Sequence, residues 1–137
     1  MSAAKLTLPI IEKGATYRHV LYWKDCTYET AVANGYVGTE QTWNDSTANA
    51  INLNGCTAKL QVRESAEASV VLLELSTVNQ GIVITSTSGK IALYVADDIS
   101  TALVGTGGVY DLEIYFPNGE TTRLIEGKVV FKDEVTK

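Results

Sequence analysis

Side chains able to do chemistry are few in this sequence, and they stand apart. The one histidine, His19, lies within an alternating stretch beside Arg18, with no serine or cysteine at a motif spacing. Nucleophilic catalysis needs a nucleophile and a base held together, so His19 reads as structural or solvent-facing. Cys26 and Cys56 bracket the least regular segment of the chain. In a reducing cytosol they are expected as buried free thiols, with Cys56 in phase with Ala58, Leu60 and Val62; a disulfide closing the segment is the alternative. One histidine and two isolated cysteines do not make a metal site. Asp97-Asp98 reads as the start of a helical turn over 97–103 rather than as a carboxylate metal site. Asp97 would cap it, the helix dipole would favour Asp98, and Ile99 and Leu103 would face inward. Gly105-Thr106-Gly107-Gly108 sits between that turn and a strand, the reverse of the strand-loop-helix order that cradles phosphate. Among 16 acidic residues no pair stands out for glycoside hydrolysis. The expectation is a protein that is not an enzyme and needs no cofactor or metal.

Binding chemistry is better represented. Tyr28, Tyr36 and Trp43 are isolated aromatics in the polar stretch 24–54, where Asn34-Gly35, Gly38-Thr39 and Asn44-Asp45-Ser46 are turn-forming. Loops this long in a compact domain are usually functional or disordered. The three rings therefore either anchor a partner, a sugar among the candidates, or pack the inserted loop onto its own domain or into a small extra hairpin.

The elements that would position these groups are strands. Tyr110, Leu112, Ile114 and Phe116 alternate with Asp111, Glu113 and Tyr115, the period of a strand with one buried face. Pro117-Asn118-Gly119-Glu120 turns the chain into a returning strand over Thr121 to Phe131. Asn-Gly fits a tight hairpin in which both central residues take positive φ. On the polar face, Arg123 and Lys128 are placed to pair with Asp111 and Glu113, and Gly127 marks a bulge or a close backbone approach. Upstream, Cys56 to Arg63 alternates cleanly. Val70 to Leu75 is more apolar and reads as a strand covered on both faces. Ile82 with Ile84, and Ile91 with Leu93 and Val95, give two more. Ala15 to Trp23 also alternates, but both of its faces carry bulk. Pro9-Ile10-Ile11 reads as an edge strand or an extended arm. Seven or eight short strands without a long helix predict an all-β, immunoglobulin-like antiparallel β-sandwich, with residues 1–137 as a single domain and 24–54 inserted in it.

Charge and length exclude further classes. The net charge of −5 over 137 residues, with lysines and arginines scattered singly, leaves no basic stripe for nucleic acid. No apolar run reaches the roughly 20 residues that a membrane helix needs. Met1 to Leu8 has no secretory pattern, so synthesis in the cytosol is expected.

Several segments taken in order resemble a known family. These are Ile11-Glu12-Lys13-Gly14-Ala15-Thr16-Tyr17, Leu53-Asn54-Gly55-Cys56-Thr57-Ala58-Lys59-Leu60-Gln61-Val62-Arg63, Gly81-Ile82-Val83-Ile84, Gly89-Lys90-Ile91-Ala92-Leu93, Gly108-Val109-Tyr110-Asp111-Leu112-Glu113 and Thr122-Arg123-Leu124-Ile125-Glu126-Gly127-Lys128-Val129. Their order is similar to that in small structural proteins of tailed bacteriophages, in particular the immunoglobulin-like N-terminal domain of upper baseplate proteins. The resemblance spans most of the chain outside 24–52, where family members pass to the Leu-Asn-Gly turn in a few residues. It implies a virion protein assembled in the host cytoplasm, acting as a tail or baseplate adaptor within a symmetric oligomer and contacting other virion proteins. A capsid decoration protein and a carbohydrate-binding module are the alternatives. Arm 1–13 and the tail after Phe131 are the parts expected either to reach neighbours or to fray.

Overall fold

The computed structural model describes residues 4–133, and alternation with one buried face accounts for its main strands. Strand β4 (Thr57–Arg63) buries Ala58, Leu60 and Val62, leaving Lys59 exposed and Gln61 half-buried between them. It pairs antiparallel with β5 (Leu73–Ser76) on one side and β8 (Gly107–Tyr115) on the other. β8 pairs in turn with β9 (Thr121–Lys132). The second sheet has three strands, β3 (Tyr17–Tyr22), β7 (Lys90–Val95) and β6 (Ile82–Thr85), in the order β3-β7-β6. Inward residues of both sheets, among them Leu60, Val62, Ile82, Ile91, Leu93, Leu112 and Ile114, form one core. The chain is an immunoglobulin-like β-sandwich: β3-β7-β6 occupy the B-E-D positions, and β9-β8-β4-β5 the G-F-C-C′ positions.

The N-terminal segment closes the edge of the larger sheet. β1 (Ala4–Lys5) and β2 (Ile11–Glu12) both run parallel to β9, bringing the strands among the described residues to nine. Leu6 and Leu8 donate backbone hydrogen bonds to Glu126 and Lys128 between these pairings. The ladder is interrupted around Pro9, which has no N–H to donate. Residues 4–13 are thus bonded to their own domain instead of extending as an arm, and residues 1–3 and 134–137 lie outside the described part. Gly127 marks a close approach, because a Cβ there would land on the Leu6 carbonyl. The bulge lies instead where Leu112 faces Ile125 and Glu113 faces Arg123, leaving Leu124 as the extra residue.

Three expectations are corrected. Gly119 alone takes positive φ (94°) in the β8–β9 hairpin. Pro117 fixes its own φ near −65°, so Phe116 to Gly119 forms a type I turn, with Gly119 N donating to Phe116 O. The stretch before β5 is not a strand covered on both faces. Arg63 Nη1 holds the Ala68 carbonyl at 2.7 Å, Val70 is exposed, and pairing begins only at Leu73. The helical turn forms as α3 (Asp97–Thr101), but Ala96 is its N-cap and no side chain caps it. Ile99 points outward while Ser100 and Leu103 are buried. The Ser100 hydroxyl donates to Ala15 O (2.7 Å) and accepts from Gly14 N (3.1 Å), tying α3 to the turn before β3.

Candidate functional site

Stretch 24–54 is a lobe with its own local structure. Thr27 and Thr39 each accept from a backbone N–H three residues on, capping two short helices, α1 (Tyr28–Ala33) and α2 (Glu40–Asp45). Each helix buries one residue, Ala31 and Trp43 respectively. Neither belongs to the sandwich core, so the lobe packs on itself. Its neck is a bridge between Lys24 and Ala50, joined by the bond from Asp25 N to Asn49 O (2.8 Å).

The three aromatics expected at a partner surface come together here. Trp43 is 4% exposed, and its ring lies 6.1 Å from that of Tyr28, which meets Tyr36 edge-on at 6.3 Å. The Tyr28 hydroxyl donates to Gly38 O across the lobe. On another side of Trp43, the Lys24 ammonium sits 4.7 Å from the ring centre and donates to Ser46 O and Ala48 O. Burial lowers the Lys24 pKa. Trp43 is therefore held inside the lobe and does not offer a face to a sugar or a partner, whereas Tyr28 and Tyr36 are half-buried. The Trp43 indole N–H is buried without an acceptor among the described residues.

Two surfaces surround this cluster. Residues 25–54 contain Asp25, Glu29, Glu40 and Asp45 and no basic residue, and with Lys24 at its neck the lobe carries a net charge of −3. Val32 is exposed on α1, and Val37, between the helices, is 92% exposed. Beside the lobe is the outer face of the small sheet. Its central row is Val20, Ala92 and Val83, side by side across three strands. Arg18 and Tyr94 pair on one flank, with the guanidinium 5.1 Å from the ring centre. Tyr22, Lys90 and Thr85 form the other flank. The Tyr22 hydroxyl donates to Asp45 Oδ1 (2.8 Å), which fastens the lobe to this sheet. Hydrogen bonds from Gln41 and Tyr22, with Lys90 and Lys24 nearby, lower the Asp45 pKa.

The outer face of the large sheet is polar and largely self-paired. A groove of about 560 Å³ runs over it, lined by residues that include Arg63, Asp111, Arg123 and Glu126. Asp111 stands directly opposite Glu126, a like-charge pair; Arg123 lies 3.4 Å from Asp111 and Lys5 lies 3.0 Å from Glu126. Lys128 forms no ion pair among the described residues.

The remaining candidates are dispersed. His19 is half-buried on the inner face of β3, where burial lowers its pKa. Cys26 and Cys56 are both free and only half-buried; Cys56 packs against the core, and burial raises its pKa. Among the described residues, no three His, Cys, Asp or Glu side chains are placed to share a metal, and no helix is long and apolar enough to cross a membrane. The small-sheet face was missed in the sequence because Val20, Val83 and Tyr94 come from three separate strands. Only their register joins them.

No family model matches the chain, and no curated protein matches it in sequence. Among solved structures it is similar to a chicken TCR at 8% identity and TM-score 0.49, covering 98% of this chain and 55% of that one. It thus spans about half of that structure's length. It is also similar to Tim-1 (10% identity, TM-score 0.36, 100% of this chain and 98% of that one). A third likeness is to the first immunoglobulin-like domain of human CD48 (10% identity, TM-score 0.31, 98% and 86% covered). At these identities and TM-scores, none of the three bears on activity, ligand or partner.

Proposed function

We propose that this chain is a non-enzymatic structural protein of a tailed bacteriophage virion, a tail or baseplate adaptor that attaches fibres or receptor-binding parts by protein–protein contact. The observation that carries the reading is the lobe: a separately packed, acidic element that a closed sandwich displays between β3 and β4. Such a body can be held at the lobe and at a sheet face by different neighbours, which is what a connector requires. The order of turns and strands, similar to that of upper baseplate N-terminal domains, supports the virion setting, with assembly in the host cytoplasm and copies arranged symmetrically. The test is a cryo-electron microscopy reconstruction of particles from the source. Density at the tail or its tip is expected. Density across the shell would make the chain a capsid decoration protein, and absence from the particle would overturn the virion reading.

A further inference from the structure

Two complementary surfaces lie on this one molecule. The lobe presents carboxylates and exposed valines: Glu29 and Val32 are a turn apart on α1, and Val37 leads towards Glu40 at the start of α2. The small-sheet face presents the Val20-Ala92-Val83 row flanked by Arg18 and Lys90, with no acidic residue on its three strands. Val83 is 55% exposed, and Ile99 beyond the end of β7 is 48% exposed. Within one chain, the lobe carboxylate that meets this face is Asp45, through Tyr22; Glu29, Glu40, Val32 and Val37 remain exposed.

We propose that the lobe of one copy docks on the small-sheet face of a second copy. Charge decides the pairing. Lobe against lobe sets acid against acid and is repulsive, whereas the Arg18 flank of the face has no carboxylate on its strands to oppose a lobe. Lobe against face brings Glu29 and Glu40 to Arg18 and to Lys90, the latter already beside its own Asp45, and covers valines on both sides. A contact between two different patches is heterologous, so it repeats from copy to copy and closes into a ring or continues as a filament. The inference rests on the connector reading in one respect, that copies stand side by side in the particle. The contact itself can be measured on the purified chain.

The experiment uses two full-length variants, Val83→Asp on the face and Val37→Asp on the lobe, studied by light scattering and analytical ultracentrifugation. Both positions are exposed, and circular dichroism confirms that each variant is folded. The wild-type chain is expected to self-associate with increasing concentration. Its association should weaken about tenfold or more between roughly 0.05 and 0.5 M salt, because the paired charges are screened. Each variant alone is expected to stay monomeric. Mixed, they should form a 1:1 dimer that grows no further, since one intact lobe meets one intact face. A wild-type chain that stays monomeric at millimolar concentration overturns the proposal, as does a mixture that remains monomeric. A monomeric chain found on phage tails would remove this contact and leave the connector role standing. A self-associating chain absent from particles would do the reverse.

Discussion

Lys24 and Trp43 hold the inserted lobe to the sandwich through one ammonium group. Its Nζ lies 4.7 Å from the indole ring centre and donates to two carbonyls, Ser46 O and Ala48 O, just past the end of α2. The Ser46 carbonyl is the C-cap carbonyl of α2, a group that the helix itself leaves without a donor. Lys24→Met keeps the apolar stem but removes the charge and both hydrogen bonds. The lobe is expected to loosen while the sandwich stays intact: Trp43 fluorescence and amide exchange over 28–48 should change, with global stability falling by no more than about 1–2 kcal/mol. Equal loss of protection across β4 and β8 would show that the lobe and the sandwich unfold as one unit.

Replacing residues 27–48 with a short glycine-serine link carries the same argument further. Leu53 belongs to the core and Ile51 packs against it, so both must stay; Ala31 and Trp43 belong to the lobe alone. The shortened chain is expected to fold, with thermal unfolding still cooperative. A collapsed or aggregated product would place the lobe within the folding unit.

Ser100 is fully buried, and its hydroxyl serves groups 85 and 86 residues away, donating to Ala15 O and holding Gly14 N. Ser100→Ala leaves both backbone groups without that partner in a confined site. A loss of about 1–3 kcal/mol in urea unfolding is expected, with opening of the 13–16 turn visible by amide exchange. A near-neutral result would mean that the turn finds other partners.

Gly127→Ala tests how the N-terminal segment docks. The added methyl would meet the Leu6 carbonyl, which accepts the Tyr110 hydroxyl bond. Something must shift, and the segment 4–8 is held along β9 and, at Leu6 O, by the Tyr110 hydroxyl of β8. Expected are a loss of about 2–4 kcal/mol and faster exchange of the Leu6 and Leu8 amides, whose bonds go to Glu126 and Lys128. Unchanged exchange would show that β9 moves instead.

What was legible in the sequence follows from how burial writes a pattern. β4 and β8 each bury alternate residues against one facing sheet, so Ala58-Leu60-Val62 and Tyr110-Leu112-Ile114 announce their strands. The lobe helices bury a single residue each, which leaves no stripe, and Thr27 and Thr39 look like turn residues until the helices they cap are seen. Gly127 marks a bulge or a close approach in the sequence, yet nothing local chooses between them or names Leu6 as the cause. Polarity, the only guide in the sequence, points Ile99 inward rather than Ser100; the backbone groups that need the hydroxyl come from the far side of the fold. The candidate docking face exists only once the β3-β7-β6 register is known.

Tyr17 gives a prediction in pH. Its hydroxyl is buried without a hydrogen-bond partner among the described residues, and burial raises its pKa to about 12. Tyr110 is raised to about 12 as well, by burial first and by the neighbouring Tyr17 second. An unfolded chain loses these protons near pH 10, its ordinary tyrosine value, while the folded chain keeps them until about 12. Between those values the unfolded state binds fewer protons, so stability is full below pH 10 and falls as pH rises towards 12. Tyr17→Phe removes one of the two groups and also an unsatisfied buried hydroxyl. The variant is expected to be as stable as the parent at pH 7, or more stable by up to about 1 kcal/mol. Its denaturation midpoint should then fall less steeply from pH 10 to 12. A destabilised variant with the parent's alkaline slope would mean that the Tyr17 hydroxyl has a partner, with bound water the natural candidate, and that Tyr110, with Tyr22 and Tyr115, whose pKa values burial also raises, sets the alkaline response.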